Sequence, residues 1–243
     1  MSRSALPRAV TFDCWSTLLS QSDQETPMRL RGQALVRAAS ELGLRLSTSD
    51  AAEWLRRGWA IHHEDWVRGT ATGARSIAGW ILRELGTPTA ELEAQLCREF
   101  EEAVLQQAVR PLDGARRTLE LLAERGIHRA LICDTGFSPG RVVRQLLERH
   151  GLLEFLPVQV FSDEVGVPKP SPRMFEAALR GLAVAAEDCI HVGDLRRTDV
   201  AGGRRLGMST IRIRDENDDT SDLPEADWVV ESHSELQVLL QLC

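Results

Sequence analysis

The sequence lacks the features that mark membrane, secreted and nucleic-acid-binding proteins. Its 243 residues include no run of the roughly 18 apolar residues that a membrane-spanning helix needs, and no apolar signal segment precedes the first predicted strand. Basic residues are scattered among acidic ones and the formal net charge is −7, so no positive stripe can neutralise a nucleic-acid backbone. The sequence therefore predicts a cytoplasmic protein with no membrane partner and no nucleic-acid partner.

Cysteine is too sparse and too dispersed for a disulfide framework or a zinc site. The cysteines are odd in number and lack CxxC spacing, so reduced thiols are expected. They are Cys14, Cys97, Cys133, Cys189 and Cys243. Internal repeats and low-complexity tracts are also lacking, and 43% hydrophobic residues suffice for a packed interior.

Two hydrophobic patterns divide the chain. Between about residues 29 and 109, apolar residues recur at spacings of three and four, which predicts a block of about four helices. From Pro111 onward, helices alternate with short apolar strands, which indicates a parallel sheet covered on both faces. We therefore predict an α/β fold, in which residues 1–20 and 111–243 form a doubly wound parallel sheet. A small helical bundle, residues 21–110, is inserted after the first strand.

The predicted elements of the sheet region are short. Strands are expected at Ala9–Phe12, Arg129–Cys133, Val158–Phe161, Cys189–Val192, Thr210–Ile213 and Trp228–Val230. Helices are expected at 114–126, 139–150, 171–182 and 199–206, with a last one through 236–240. The acidic run Asp215–Asp219 is interpreted as a solvated loop.

Polar side chains follow several of the predicted strands. Asp13 follows the first strand, Lys169 lies beyond the third, and Asp194 follows the fourth with Asp199 five residues later. Taken singly, an aspartate before a turn is usually a helix cap and a lysine beside proline is usually on the surface. Their joint occurrence favours one site, because ligands bind in the crevice at the carboxyl ends of parallel strands.

The strand ends carry motifs in a recognisable order. They are Phe12-Asp13-x-x-x-Thr17-Leu18, a strand ending at Cys133, Lys169 in Lys-Pro-x-Pro-x-Met-Phe, and Gly193-Asp194-x-x-x-x-Asp199. In this order, and over essentially the whole chain, the sequence resembles the haloacid dehalogenase superfamily. The resemblance implies a Rossmann-like core and a small helical cap that closes over the crevice.

The resemblance also implies a role for each motif. In phosphatases of this superfamily the aspartate at the position of Asp13 attacks phosphorus, and water hydrolyses the resulting aspartyl phosphate. Mg²⁺ relieves the negative charge, and its implied ligands are Asp13, the backbone carbonyl of Trp15, and Asp194. Asp199 either ligates the metal or holds its waters. Lys169 offsets charge on the nucleophile and the phosphoryl group.

Two positions depart from the phosphatase pattern. Trp15 lacks the carboxyl group that would protonate a leaving alcohol, a role worth about 10²–10⁴ in rate. Cys133 replaces the usual serine or threonine, and a thiol is a weaker hydrogen-bond donor. Asp134 and Thr135, which follow it, are expected to complete the substrate-binding turn, with Thr135 and nearby amides compensating for the thiol.

Three functions remain open at this point. The first is Mg²⁺-dependent hydrolysis of a small phosphorylated substrate by a monomer or homodimer. The second is metal-free hydrolysis of a 2-haloacid, because enzymes of that type typically carry an aromatic tyrosine where Trp15 lies. Against it, Asp194 and Asp199 would repel an anionic haloacid. The third is a catalytically weakened protein that serves as a binding or regulatory module.

Substrate selection is expected in the inserted helices. The segment Trp54–Arg68 contains three tryptophans interleaved with basic residues, of which Arg57 and His62 are the expected substrate-binding residues. The helical spacing of Trp59, His62 and Trp66 also fits an ordinary core stripe. The sequence alone does not distinguish a substrate-binding surface from a core stripe.

Overall fold

The computed structural model describes residues 6–20, 23–106 and 109–242. The strands are β1 (Ala9–Phe12), β2 (His128–Cys133), β3 (Val158–Phe161), β4 (Cys189–Gly193), β5 (Ser209–Ile213) and β6 (Trp228–Val230). The α-helices are α1 (Glu25–Glu41), α2 (Thr48–Val67), α3 (Ala74–Leu85), α4 (Ala90–Glu102), α5 (Ala115–Glu124), α6 (Gly140–Arg149), α7 (Ser162–Val165), α8 (Pro172–Leu182), α9 (Ala201–Arg205) and α10 (His233–Leu239). Residues 1–5, 21–22, 107–108 and 243, which fall in the predicted sheet region and helical bundle, lie outside the described residues.

The six strands form one parallel sheet in the order β3-β2-β1-β4-β5-β6, which confirms the predicted α/β fold. Strand β1 is fully buried because helices cover both faces of the sheet. Helices α5, α6 and α10 pack in the hydrophobic cluster on one face, and α8 packs in the cluster on the other.

The strand order opens a crevice beside β1. Strands β2 and β3 lie on one side of β1, and β4, β5 and β6 lie on the other. The chain therefore leaves the carboxyl ends of β1 and β4 in opposite directions, which is where open α/β sheets bind ligands. The Asp13 backbone N–H donates to the Val192 carbonyl at 2.8 Å, which fixes Asp13 at this point.

Helices α1 to α4, with the 3-10 helix Ala103–Gln106, pack together and are called the helical insertion below. They share a separate hydrophobic cluster that includes Leu35, Leu55, Ile81 and Phe100. Phe137, from the loop after β2, also packs into this cluster. That loop therefore belongs to the packing of both the sheet region and the helical insertion.

Helix α7 and the 3-10 helices at Leu153–Phe155 and Ala186–Asp188 were not predicted, and one predicted helix differs in its first turn. The helix expected at 199–206 begins earlier, as a short π-helix at Arg196–Val200 that continues into α9. The Asp199 carboxylate accepts the Leu195 backbone N–H at 3.1 Å, which ties the side chain to the widened first turn.

Cys14, Cys97, Cys133 and Cys189 are buried free thiols. Among the helices in the described ranges, none has both the length and the apolar character needed to cross a bilayer.

Candidate active site

A cleft of about 750 Å³ lies between the carboxyl edge of the sheet and the helical insertion. Most of the residues predicted from the sequence line it, namely Asp13, Trp15, His62, Asp134, Thr135, Lys169, Asp194 and Asp199. Cys133 and Arg57 do not line the cleft. The structure thus brings together side chains from both parts of the chain.

Lys169 is the buried cation at the centre of the cleft. Its Nζ lies 2.5 Å from Asp13 Oδ1 and 2.7 Å from Asp199 Oδ1, and its side chain is 2% exposed. Burial alone would lower the pKa of Lys169, but the charges of Asp13 and Asp199 outweigh it and hold that pKa well above its usual range. The ammonium group is therefore charged and shared between the two carboxylates.

Three carboxylates converge around this lysine. One ligand atom from each of Asp13, Asp194 and Asp199 lies within 4.8 Å of the others. Burial raises the pKa of Asp13, and the charges of Asp199 and Asp194 raise it further against the opposing effect of Lys169. Burial and then Asp199 raise the pKa of Asp194 to about 7. A bound cation would relieve the repulsion between carboxylates that adds to the effect of burial.

Asp199 is held in place by four donors. Besides Lys169, its carboxylate accepts hydrogen bonds from His191 Nε2 at 3.0 Å, the Leu195 backbone N–H and the Thr198 hydroxyl. Burial raises the pKa of Asp199, but Lys169 and His191 outweigh it and hold that pKa below its usual range. Both carboxylate oxygens are engaged, so Asp199 is better suited to orient Lys169 than to bind a metal directly.

His191 was not anticipated by the sequence analysis. It lies within β4 and is fully buried, and its Nδ1 is 2.8 Å from the Thr11 hydroxyl. Burial lowers the pKa of His191, so a neutral imidazole donates to Asp199 and accepts from Thr11. A histidine inside an apolar strand gives no sequence signal that distinguishes this role from ordinary core packing.

The donor set fits Mg²⁺. Asp13 Oδ2 and the Trp15 carbonyl accept no hydrogen bond from the residues that the structure describes, and Asp194 Oδ2 accepts one from Asn217 Nδ2 at 2.7 Å. All the available donors are oxygens, which Mg²⁺ prefers in proteins. Asp13, Asp194 and the Trp15 carbonyl are therefore the groups that could hold the ion.

The segment Asp215–Asp219 after β5 is a loop of exposed and half-buried residues, as predicted, and it also completes the cleft. Glu216 and Asn217 line the cleft. Glu216 accepts hydrogen bonds from the hydroxyls of Ser16 and Ser20, which ties the loop after β1 to the loop after β5. The available signal was the position of this run directly behind a strand of the parallel sheet.

Cys133 lies behind the cleft because successive side chains of a strand point to opposite faces. The thiols of Cys133 and Cys14 are neighbours, and both residues belong to a hydrophobic cluster. The Cys133 thiol donates to the Asp134 carbonyl at 3.4 Å; the neighbouring Cys14 thiol and burial raise its pKa. The cleft lining on this strand begins at Asp134.

Asp134 and Thr135 are both fixed by hydrogen bonds. Asp134 accepts the Lys169 backbone N–H at 2.8 Å and the Trp66 indole N–H at 2.9 Å. Burial raises the pKa of Asp134, while Lys169 opposes the shift. The Thr135 hydroxyl lies 2.9 Å from that of Ser162. The turn after β2 is thus tied to the sheet region and, through Trp66, to the helical insertion.

Helix α2 supplies an aromatic wall opposite the charged groups. Trp59 stacks on Phe137 with ring centroids 5.3 Å apart, and His62 is buried with Nδ1 2.9 Å from the Thr72 hydroxyl. Gly136 leaves room for the Trp59 ring, because a Cβ at position 136 would lie 3.0 Å from that ring. Burial lowers the pKa of His62, which favours a neutral imidazole.

The tryptophan segment has two faces, so both sequence interpretations apply in part. Trp59 and Trp66 line the cleft, whereas Trp54 packs against Trp80 within the helical insertion. Arg57 stacks on Trp54, its guanidinium carbon 4.5 Å from the ring centroid, and is not brought to the cleft. Arg31, on α1, lines the cleft instead and was missed by the sequence analysis.

Comparisons with known proteins give matches over most of the chain. Residues 7–207 match the family model for haloacid dehalogenase-like hydrolases. The glyceraldehyde 3-phosphate phosphatase of Methanopyrus kandleri is 30% identical over 210 residues, which cover 85% of this chain and 84% of that protein.

Two solved structures share the fold. A HAD phosphatase from Thermococcus onnurineus superposes with a TM-score of 0.65 at 21% identity. A 2-haloacid dehalogenase from Pseudomonas syringae pv. Tomato DC3000 superposes with a TM-score of 0.68 at 22% identity. Each alignment covers 96% of this chain and 97% of the other. With the family match spanning most of the chain, these similarities place the protein among the haloacid dehalogenase-like hydrolases.

Proposed function

We propose that this hydrolase is a Mg²⁺-dependent phosphatase that cleaves a small phosphomonoester or phosphoanhydride through an aspartyl phosphate on Asp13. The observation that carries the proposal is a buried cluster at the carboxyl ends of β1 and β4, formed by Asp13, Lys169, Asp194 and Asp199. The similarity to a protein named as a glyceraldehyde 3-phosphate phosphatase supports the same reaction class.

The chain's own residues provide for a two-step displacement. An oxygen of Asp13 forms a bond to phosphorus while the bond from phosphorus to the leaving oxygen breaks, and water then cleaves the acyl phosphate. Lys169, positioned by Asp199, stabilises the negative charge that develops on the phosphoryl oxygens. When bound by Asp13, Asp194 and the Trp15 carbonyl, Mg²⁺ would supply further charge neutralisation.

Trp15 determines which leaving groups are cleaved well. Trp15 lines the cleft together with Asp13, and it has no carboxyl group that could protonate a departing alkoxide. The carboxylate of an acyl phosphate and the phenolate of an aryl phosphate with an acidic phenol depart without that proton. Acyl and aryl phosphates of this kind are therefore the expected good substrates, and simple alkyl phosphates are the expected poor ones.

In this proposal, residues 1–20 and 111–243 form the catalytic core and residues 21–110 form a cap. The direct hydrogen bond from Trp66 to Asp134 and the stacking of Trp59 on Phe137 hold the insertion against the core in the described state. Closure of such a cap excludes water from the acyl phosphate until the leaving group has departed.

The experiment that tests the proposal is phosphate release from p-nitrophenyl phosphate and acetyl phosphate, with Mg²⁺ and with a chelator. Activity should require Mg²⁺ and disappear in Asp13→Asn, while the exposed control Asp113→Asn should match the parent protein. Metal-independent halide release from 2-chloropropionate would instead indicate a dehalogenase. Silence toward a broad panel of phosphate esters, acyl phosphates and haloacids would indicate a binding or regulatory protein.

A further inference from the structure

Arg31 is a buried cation that has no acidic partner in the part of the chain that the structure describes. Its side chain lies on α1 within the lining of the cleft, and the residue is 6% exposed. Its Nε donates to the Phe100 carbonyl at 2.9 Å, and its Nη1 lies 3.8 Å from the Met28 sulfur. The guanidinium carbon lies 4.1 Å from the centroid of the Phe137 ring. These contacts fix the group but do not neutralise it.

The other buried cations of the described residues are neutralised by carboxylates. Lys169 contacts Asp13 and Asp199, and Arg212, which is 1% exposed, contacts Asp218 at 2.9 Å and Glu225 at 2.8 Å. Arg31 forms no ion pair within the described ranges, and the sequence has no aspartate or glutamate at residues 1–5, 21–22, 107–108 or 243. A buried charge without a partner is rare because its desolvation is uncompensated.

The unused hydrogen-bonding capacity of Arg31 is available to a ligand. A guanidinium has five N–H donors, and the contacts of Nε and Nη1 occupy two of them. Burial lowers the pKa of Arg31 to about 10, so the group is still charged at neutral pH. A planar, charged donor held against an aromatic ring is suited to bidentate binding of a carboxylate or a phosphate.

We infer that Arg31 binds a second anionic group of the substrate, distinct from the phosphoryl group that faces Asp13. This inference rests on the proposed phosphatase function and names its substrate class: a small phosphate ester that also carries a carboxylate or a second phosphate. Trp59 and Phe137, which lie beside Arg31 in the cleft lining, would contact the carbon skeleton between the two anionic ends.

Arg56 is a weaker candidate for the same task. It also lines the cleft, but its side chain is 70% exposed and already pairs with Glu53 at 2.6 Å. An exposed and paired arginine gains little from a further anion because water and its partner already neutralise it. The burial and isolation of Arg31 are what distinguish it.

The test compares nitrophenyl phosphates of matched size whose ring also carries a neutral hydroxymethyl group, a carboxylate or a second phosphate, because their leaving groups need no proton. For the parent protein, kcat/KM should be about 10²-fold higher with an anionic end, since hydrogen bonds to charged groups contribute about 1.5–3 kcal/mol each. The relative rates of the carboxylate and phosphate series identify which anion is recognised. Arg31→Met should abolish this selectivity ratio, and Arg31→Lys should retain part of it.

The matched control is Arg37→Met, which removes an exposed arginine of the same helix that pairs with Glu99. It should keep the selectivity ratio of the parent protein. The inference is overturned if the parent protein does not favour anionic ends, or if Arg31→Met lowers kcat/KM equally for all three series. A circular-dichroism melt checks that each variant is folded, and Arg31→Lys serves if Arg31→Met is not.

A binding measurement separates this inference from the proposed function. Alkylphosphonates that end in a carboxylate or a second phosphonate resist hydrolysis, so calorimetry reports their binding even to an inactive protein. Binding that weakens about 10²-fold in Arg31→Met would support the anion site even if no phosphatase activity exists. Binding that is absent, or is unchanged in Arg31→Met, would overturn it even if the protein is a phosphatase.

Discussion

The two walls of the cleft treat charge in opposite ways. On the sheet side, Lys169 contacts the carboxylates of Asp13 and Asp199. Asp199 in turn accepts hydrogen bonds from His191, the Leu195 backbone N–H and the Thr198 hydroxyl. On the helical side, Trp59 and Trp66 line the cleft, and Arg31 is buried without an acidic partner among the described residues. Groups that neutralise one another are preorganised for chemistry, whereas an unneutralised group is completed by its ligand. Under the proposed function, the sheet side is the catalytic wall and the helical side is the selecting wall.

The largest effect should follow from removal of the cation on the catalytic wall. Lys169→Met leaves Asp13 and Asp199 buried and facing each other without compensation. We expect kcat to fall about 10²–10³-fold, the size of effect seen when one preorganised electrostatic group is lost. The free energy of unfolding in urea should fall by about 3 kcal/mol without metal.

Mg²⁺ should partly restore the stability of Lys169→Met, because a cation relieves the same repulsion between carboxylates. The control is Arg180→Met, which removes an exposed cation of helix α8 and should change neither quantity measurably. If Lys169→Met kept its activity, the division into a catalytic and a selecting wall would fail at its centre.

A smaller effect, in the opposite direction, is expected at Trp15. Trp15→Asp places a carboxyl group beside the nucleophile, where it can protonate a departing alkoxide. Hydrolysis of alkyl phosphates should accelerate about 10²-fold, and that of p-nitrophenyl phosphate much less, because nitrophenolate leaves without a proton. The ratio of the two kcat values measures the effect.

Trp15→Asn is the matched control, since it opens the same space without an ionisable group. An equal gain in Trp15→Asn would show that space beside Asp13, rather than a proton donor, limits the reaction. No gain in either variant would count against the proposed consequence of the missing acid.

The rule that ligands bind at the carboxyl ends of parallel strands explains what the sequence predicted correctly and one part of the cleft that it left out. It located Asp13, Lys169 and Asp194 because parallel strands bring their carboxyl ends to one edge, and the structure places all three in the cleft. The same rule applies after β5, but the acidic character of Asp215–Asp219 favoured a solvated loop. Cys133 was predicted to bind substrate, but the cleft lining begins one residue later, at Asp134. The sequence does not reveal toward which face of the sheet the last residue of a strand points.

Tertiary packing accounts for what the sequence could not supply. Five arginines lie on α1 and α2 between residues 29 and 57, namely Arg29, Arg31, Arg37, Arg56 and Arg57. Only the orientation of α1 against Phe100 and Phe137 makes Arg31 a buried residue of the cleft. Likewise, the stacking of Arg57 on Trp54 depends on the arrangement of helices within the insertion.

The smallest expected effect lies where the two walls meet, at Trp66. Its indole N–H donates to Asp134 at 2.9 Å, and the guanidinium carbon of Arg197 lies 3.6 Å from its ring centroid. Trp66→Phe keeps an aromatic ring for Arg197 but removes the N–H that donates to Asp134. The contact between the insertion and the turn after β2 should therefore lose about 1 kcal/mol of stabilisation. KM for p-nitrophenyl phosphate should rise about fivefold with kcat changed less, while Trp54→Phe, which alters a ring inside the insertion, should leave KM unchanged. An equal rise in KM in both variants would mean that the insertion's stability, rather than its contact with Asp134, sets the affinity.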